Sequence, residues 1–276
     1  MIWKTVGAVG PKDLGDARLA LHWAAQLVSA PGTSLLSPEG DYAHTNLGWN
    51  HELGLLTGRK CGPEGLQSAL MFEGLELAVL DGALERASMR LTGQSLQGAL
   101  GWLGRELGAE ASALALPAHE MPSHPVGDGS VFSEAGSSAR AELAAWFANA
   151  FEVVRALVRD DPAASAVRCW PHHFDVASLV TLDSGLGAEE ARSIGIGFSP
   201  GDGSYAQPYF YVTPWPYPDT GKLPPLPEGV RWHVAGWTAA VLTAEQLLRV
   251  PRAEQERSVS RALAGALSAC RELFST

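Results

Sequence analysis

Cysteines and basic side chains are scarce in this chain of 276 residues, and long apolar runs are missing. The three cysteines, Cys61, Cys169 and Cys270, lie far apart and form no C-x-x-C pair. They favour reduced thiols and a cytoplasmic setting over a disulfide framework. A formal net charge of -10, with no run of Lys or Arg, disfavours nucleic-acid and anionic membrane partners. No apolar stretch reaches the length of about 18 residues that predicts a membrane span.

Familiar catalytic motifs are missing as well. The chain contains no G-x-x-x-x-G-K-[ST] phosphate loop and no G-x-S-x-G elbow. The Gly195-Ile196-Gly197 segment lacks the third glycine and the following helix of a dinucleotide fold. The histidines show no H-E-x-x-H or comparable spacing, so no metal site is predicted and no cofactor is assigned.

The composition is that of a compact globular protein, with 46% hydrophobic and 18% charged residues. Apolar residues at helical spacing predict helices at 17–28, 134–159 and 253–274. Asp13 or Asp16 is expected to cap the first helix, and Pro31-Gly32 to end it.

Strand-like runs separated by turn residues occupy much of the remaining chain. They are predicted at 33–37, 44–57, 69–80, 87–92, 167–182, 193–199, 208–215 and 230–240. Pro200-Gly201-Asp202-Gly203 is the strongest hairpin signal. Strands that alternate with tight turns, and helices gathered at the ends, indicate an α+β fold with antiparallel sheets.

The second half of the chain repeats the pattern of the first. Each half reads as a helix, four strands and a closing helix, which predicts an internal duplication about a pseudo-twofold axis. The first repeat is placed at 1–116, a proline-rich crossover at 117–132 and the second repeat at 133–276. Both halves are expected to pack as one compact body, because each presents a half-covered sheet.

Each half contains a His-x-Asn/Asp motif, His44 with Asn46 and His173 with Asp175. On a strand, residues two apart share a face, so each pair is expected to lie side by side. A carboxylate beside an imidazole can orient it, either as a general base or as a metal ligand. The alternative is a structural hydrogen bond, which is the more common role of such a pair.

A row of aromatic residues forms the second candidate site. Strand alternation places Tyr209, Tyr211, Thr213 and Trp215 on one face. Such a row can stack a flat ligand or a sugar. The alternative is that these rings pack beneath a helix as part of the core.

Short motifs recur in order across most of the chain. In the second half they are Phe174-Asp175-Val176-Ala177, Gly197-Phe198-Ser199-Pro200-Gly201 and Phe210-Tyr211-Val212 with its trailing prolines. In the first half they are Leu21-His22 with Gln26 and Val28, and His44. Together they resemble an uncharacterised bacterial family known only as a domain of unknown function. The family pattern has no histidine at His173 and no asparagine at Asn46, so the resemblance supports Asp175, His22 and His44. It implies no activity.

Two hypotheses about function follow. The first is binding of a small polar or aromatic molecule in a cleft between the halves, with hydrolytic or metal-assisted chemistry if the ligand is turned over. The candidate catalytic residues are His173, Asp175 and His44, and the candidate ligand-binding residues are Asn46, His22, Tyr209, Tyr211 and Trp215. The second is a non-catalytic interaction or scaffold protein whose aromatic, proline-rich segment contacts a partner or forms a homodimer.

Overall fold

The computed structural model describes residues 3–62, 64–109, 114–187 and 190–275. It confirms the α+β class, with helices and two antiparallel sheets. The helices are α1 (Pro11–Leu35), α2 (Leu96–Glu106), α3 (Ser137–Val158), α4 (Ala244–Leu247) and α5 (Arg252–Leu273). No helix in the described part of the chain is long and apolar enough to cross a bilayer.

Eleven strands form the two sheets within these described ranges. The first sheet has the order β1-β2-β3-β4-β5, and the second the order β10-β11-β9-β8-β7-β6. The strands of the first sheet are β1 (Gly48–Asn50), β2 (Leu55–Thr57), β3 (Gln67–Met71), β4 (Glu76–Asp81) and β5 (Leu84–Arg90). Those of the second are β6 (Arg168–Trp170), β7 (Asp175–Thr181), β8 (Ser193–Ser199), β9 (Tyr209–Trp215), β10 (Arg231–His233) and β11 (Ala239–Thr243).

The chain divides into two compact units, each built from separate segments. Unit 1 comprises Met1–Gly7, Trp146–Val167 and Asp175–Thr276, and unit 2 comprises Ala8–Ala145 and Arg168–Phe174. The division into two sequence repeats stays a prediction, as does the internal duplication.

In unit 2 the long helix α1 packs against the strands β2 and β3. The prediction that Pro31-Gly32 ends this helix is wrong, because the helix continues to Leu35. Neighbouring groups hold its last turns: the Ser68 hydroxyl donates to the Val28 carbonyl at 2.7 Å, and the Ser29 hydroxyl donates to the Thr45 carbonyl at 2.7 Å. These contacts offset the backbone hydrogen bond that proline cannot donate.

Two further sequence predictions for this region are corrected. The run at 33–37 is not a strand, because its first residues belong to α1. The helix begins after Gly10, with Pro11 in the first turn and no side-chain cap, so neither Asp13 nor Asp16 caps it. Proline suits this position because the first amides of a helix lack partners in any case.

In unit 1 the sheet is covered by helices on one face. Trp146 on α3 stacks on Phe198 of β8, with ring centroids 5.8 Å apart, and also contacts Phe210 of β9. The thiol of Cys270 on α5 lies 3.9 Å from the Val212 carbonyl oxygen. The predicted helices at 134–159 and 253–274 are confirmed to within three residues at each end.

The predicted hairpin around Pro200-Gly203 is also confirmed. The strands β8 and β9 pair antiparallel, with Ser199 opposite Tyr209. The connection at 200–208 is longer than a tight turn, and it returns over the face of the sheet opposite α3 and α5, since its residue Tyr205 packs on Tyr209.

Candidate functional site

Strand β9 presents two chemically different faces, as its alternation predicts. Phe210 and Val212 point toward the helices of unit 1. Tyr209, Tyr211 and Thr213 therefore point to the opposite face, which is the face of Gly197 and Gly195 on β8. The aromatic row lies on the face opposite α3 and α5, so it does not pack beneath these two helices. The prediction that its rings belong to the core is confirmed for Tyr209, which is 3% exposed and clusters with Ala239 and Val241.

The neighbouring strand β8 carries no side chain along this face at two positions. Gly197 pairs with Tyr211 on one side and with Ala177 of β7 on the other. A Cβ atom on Gly197 would lie 2.6 Å from Cζ and from the hydroxyl oxygen of Tyr211, so the phenol end of that side chain lies over the glycine. A Cβ atom on Gly195 would lie 2.9 Å from the methyl group of Thr213. The two glycines form a floor on which the side chains of β9 rest.

Because Gly197 is bare, Tyr211 reaches across β8 to the start of β7. Its hydroxyl donates a hydrogen bond to Oδ2 of Asp175, which is 8% exposed. Burial, and then the charge of Asp175, raises the pKa of Tyr211 well above its usual value of about 10. Tyr211 therefore stays a protonated donor at physiological pH and cannot act as a base.

Tyr209 makes a similar pair with the loop that follows β8. Its hydroxyl donates to Oδ2 of Asp202 at 2.5 Å. Burial, and then the hydrogen bond to Asp202, raises the pKa of Tyr209 far above its usual value. Two tyrosine–aspartate pairs thus stand next to each other on one face, with the Tyr209 and Tyr211 ring centroids 6.1 Å apart.

Three further rings complete this group, and together with Tyr209 and Tyr211 we call them the aromatic cluster. They are Tyr205, His233 and Trp237. The Ala235 carbonyl accepts from Nε2 of His233 at 2.8 Å, and Nδ1 of the same ring is hydrogen-bonded to the Tyr205 hydroxyl at 3.0 Å. Trp237 donates through Nε1 to the Ser204 hydroxyl at 3.2 Å.

The same face becomes accessible toward the other end of β9. Trp215 is 38% exposed, and Leu179 of β7 is 39% exposed. Leu179 pairs with Gly195, which pairs in turn with Thr213. Leu179, Gly195, Thr213 and Trp215 form an accessible area that we call the strip, with apolar walls and a glycine floor. The aromatic cluster borders the strip at its inner end, where Tyr211 follows Thr213 on the same face of β9.

The strand geometry predicted for His173 and Asp175 is wrong. The strand β6 ends at Trp170, residues 171–174 form a turn, and β7 begins at Asp175. Phe174 has φ of 54°, a left-handed conformation that breaks the alternation. His173 is an exposed residue of this turn, with its ring 4.2 Å from that of His172.

His44 is likewise in a turn, before β1 begins, so the shared strand face predicted for His44 and Asn46 is also wrong. Nδ1 of His44 accepts from the Glu39 amide at 3.1 Å, and the ring is 7% exposed. Oδ1 of Asn46 lies 3.5 Å from Nη1 of Arg59, which donates to it. In unit 2 these two side chains hold the loop and the adjoining strand.

His22 holds the turn at 171–174 from within unit 2. Its Nε2 donates to the Pro171 carbonyl at 2.8 Å, and Gln26 donates to the same oxygen at 2.8 Å. The His22 ring stacks on Phe174, with centroids 5.3 Å apart. Burial lowers the pKa of His22 to about 4, so the ring is neutral at physiological pH. These contacts give His22 a positioning role in the fold.

The predicted site residues thus fall into two groups. Unit 1 brings together Asp175, Tyr209 and Tyr211, with Trp215 on the same face. His22, His44, Asn46 and His173 belong to unit 2. Among the residues that the structure describes, no group of three His, Cys, Asp or Glu side chains is arranged to hold a metal ion.

Sequence reasoning missed several members of the site. The sequence indicates Asp202 only as a turn residue and Gly195 only as part of an incomplete nucleotide motif, and it indicates Gly197 as part of that motif and of the family resemblance. Their spacing of two within a strand is the signal that could have indicated a bare face. Tyr205, His233 and Trp237 carry no local signal, because only the loop connections bring them together.

Comparison with protein-family models, curated proteins and solved structures gave no match. The function is therefore argued from the geometry of the site.

Proposed function

We propose that this protein binds a small molecule that has a flat apolar face and hydroxyl groups at its edge, such as a sugar or an aromatic ring carrying hydroxyls. The observation that carries the proposal is the strip. Two large apolar side chains, Leu179 and Trp215, stand partly exposed on this face: Leu179 is directly opposite Gly195, and Trp215 is two residues beyond Thr213, which is opposite Gly195 on its other side. A planar ring can lie over Leu179 and the Thr213 methyl group, which covers Gly195, and contact the indole.

The polar groups near the strip suit recognition of hydroxyls. The Thr213 hydroxyl donates to the Thr238 carbonyl at 2.8 Å and keeps its acceptor lone pairs. The Tyr211 hydroxyl donates to Asp175 and likewise can accept from a ligand. Because both hydroxyls are already oriented by these bonds, they are preorganised for a ligand that donates.

The protonation states favour binding over turnover. Hydrolysis needs a base near the reacting water. The pKa values of Tyr209 and Tyr211 are both raised, so neither phenol supplies that base. The Asp175 carboxylate is engaged by Tyr211, and the interaction orients the phenol.

A second candidate function is docking of a protein partner, as in the interaction hypothesis. Tyr217 is 47% exposed, and its ring packs edge-on against Trp215 with centroids 5.4 Å apart. Exposed Trp and Tyr are enriched in protein interfaces. Tyr217 lies beyond the end of β9, outside the strip, so its variants separate the two functions.

Saturation-transfer NMR with glucose, adenosine and tyramine as probes tests the small-molecule proposal. We expect transfer to at least one probe with the wild-type protein, and its loss in Trp215→Ala. Trp102→Ala, a half-buried tryptophan on α2 in the other unit, is the matched control and should retain the signal. Absence of transfer to all three probes, or equal transfer with Trp215→Ala, would contradict the proposal. Loss of the signal in Tyr217→Ala but not in Trp215→Ala would place the contact outside the strip.

A further inference from the structure

A second polar site lies in unit 2, around Gly48 at the start of β1. Gly48 pairs with Thr57 of β2. On its other side, Leu47 and Cys169 exchange two backbone hydrogen bonds of 2.8 Å. That bridge places Arg168, the residue before Cys169, beside Gly48. Three chain segments therefore meet at a position that has no side chain of its own.

The space that Gly48 leaves open is bordered by two hydrogen-bonding groups. A Cβ atom at Gly48 would lie 3.2 Å from the Thr57 hydroxyl and 3.8 Å from Nη1 of Arg168. Both groups can donate: the hydroxyl has one O–H, and the guanidinium has a planar fork of N–H groups. A glycine at this point allows an oxygen atom of a ligand to approach both.

Arg59 adds a second guanidinium to the same side of the sheet. Gly58, which lies between Thr57 and Arg59 in the chain, faces α1, because a Cβ atom there would lie 2.5 Å from the Val28 carbonyl oxygen. Thr57, the last residue of β2, therefore points away from α1 by strand alternation, and Arg59 follows Gly58 beyond the end of the strand. The Arg59 guanidinium lies 3.5 Å from Oδ1 of Asn46, two residues before Gly48.

Arg59 and Arg168 bring two like charges to this region. Arg59 and Arg168 are both half-buried. Burial, and then the like charge of Arg59, lowers the pKa of Arg168. Arg59 forms no salt bridge with any residue in the described ranges. Two cations held this close, in a chain with a net charge of -10, are a local exception to the overall charge.

We infer that Arg59 and Arg168, with the Thr57 hydroxyl and the floor at Gly48, form a binding site for an oxyanion, either a phosphate or a carboxylate group. An oxyanion relieves the repulsion between the guanidinium groups and accepts their N–H donors in the bidentate geometry that arginine favours. The site belongs to unit 2 and does not depend on the strip, so it goes beyond the proposed function.

Titration calorimetry at constant ionic strength tests this inference, with inorganic phosphate and acetate as probes and chloride as the background anion. We expect saturable binding of at least one probe, weakened about tenfold or more in Arg59→Gln and in Arg168→Gln. Arg86→Gln is the matched control, because Arg86 lies on β5 of the same sheet, where it pairs with Glu64, and it should bind as the wild type does.

The two probes distinguish the source of the oxyanion. Tighter binding of phosphate assigns a phosphorylated ligand, and tighter binding of acetate assigns a carboxylic acid. No saturable response to either probe, or Arg59→Gln binding as tightly as the wild type, would overturn the inference. If Arg168→Gln does not fold, Arg59→Gln decides alone, and Arg59→Lys provides a second measurement: a bidentate site predicts weakened binding despite the retained charge.

Discussion

The hydroxyl of Tyr211 donates a hydrogen bond to the carboxylate of Asp175 across a strand whose intervening residue is Gly197. The two residues are distant in sequence and lie on β9 and β7. Any side chain larger than hydrogen on Gly197 would occupy the position of the tyrosine ring. The contact therefore depends on three segments at once, and it orients the phenol that closes the inner end of the strip.

The coupling between these two residues can be measured by a double-mutant cycle. Tyr211→Phe removes the donor and leaves a buried carboxylate with one hydrogen bond fewer, and Asp175→Asn removes the charge. We expect an interaction free energy of about 1–3 kcal/mol, because the bond is to a charged group. This interaction free energy is obtained from urea unfolding of the wild type, the two single variants and the double variant. Additive single effects, within about 0.5 kcal/mol, would show that the two side chains are not coupled.

The close contact between Gly197 and Tyr211 predicts that a larger residue at position 197 destabilises the fold. In Gly197→Ala the new methyl group would lie 2.5 Å from the Val176 carbonyl oxygen and 2.6 Å from the Tyr211 ring. Overpacking of this kind lowers the free energy of unfolding by about 1–3 kcal/mol. Gly203→Ala is the control, because no atom lies within 4 Å of its Cβ position. Chemical denaturation of both variants compares them, and equal stability would refute the tyrosine-over-glycine arrangement.

Two tryptophans of unit 1 should differ in their effect on stability. Trp146 is 1% exposed and packs on Phe198 and Phe210, so Trp146→Ala should cost about 3–5 kcal/mol. Trp215→Ala should cost clearly less, because the ring is 38% exposed and already meets solvent. Guanidinium denaturation measures both. A loss above about 3 kcal/mol in Trp215→Ala would make it a core residue and remove it from the strip.

The buried histidine of unit 2 predicts a dependence of stability on pH. The folded pKa of His22 is about 4, below its ordinary value of 6.5, so the unfolded chain binds the proton more readily. The stability contributed by the neutral ring is therefore present above about pH 6.5 and is lost as the pH falls toward 4, on the order of 2–3 kcal/mol. Urea unfolding between pH 4 and 7 measures the slope.

His22→Gln keeps an N–H donor for the Pro171 carbonyl but does not titrate, so its stability should fall less steeply with acid than that of the wild type. The matched control is Gln26→Leu, which removes the other donor to the Pro171 carbonyl but no titratable group, so it should lower stability and retain the wild-type slope. An unchanged slope in His22→Gln would show that His22 is not the group responsible.

The aromatic row could be predicted from the sequence because alternation within one strand is a local property. Tyr209, Tyr211 and Trp215 needed only the assignment of β9. Their partners could not be predicted in the same way. Asp175 reaches Tyr211 only because β8 lies between β7 and β9 with a glycine at the crossing point, and that is a matter of strand order and register.

The errors have a common physical cause, which is long-range packing that overrides a local signal. Proline predicts the end of a helix, but the contacts of Ser29 with Thr45 hold the chain of α1 past Pro31. His173 was assigned to a strand by the polar and apolar alternation around it. The turn at 171–174 is held instead by His22, from a distant helix, through the Pro171 carbonyl.

Ligand binding at the strip is the central claim, and the indole N–H signal of Trp215 tests it most directly. The chain has nine tryptophans, and the Trp215 signal is identified by its loss in Trp215→Phe. Titration with the probe that gives the strongest saturation transfer should shift this signal progressively and to saturation, while the signals of Trp146 and Trp102 stay in place. A titration in which the Trp215 signal does not move, or in which all the indole signals move together without saturating, would contradict binding at the strip.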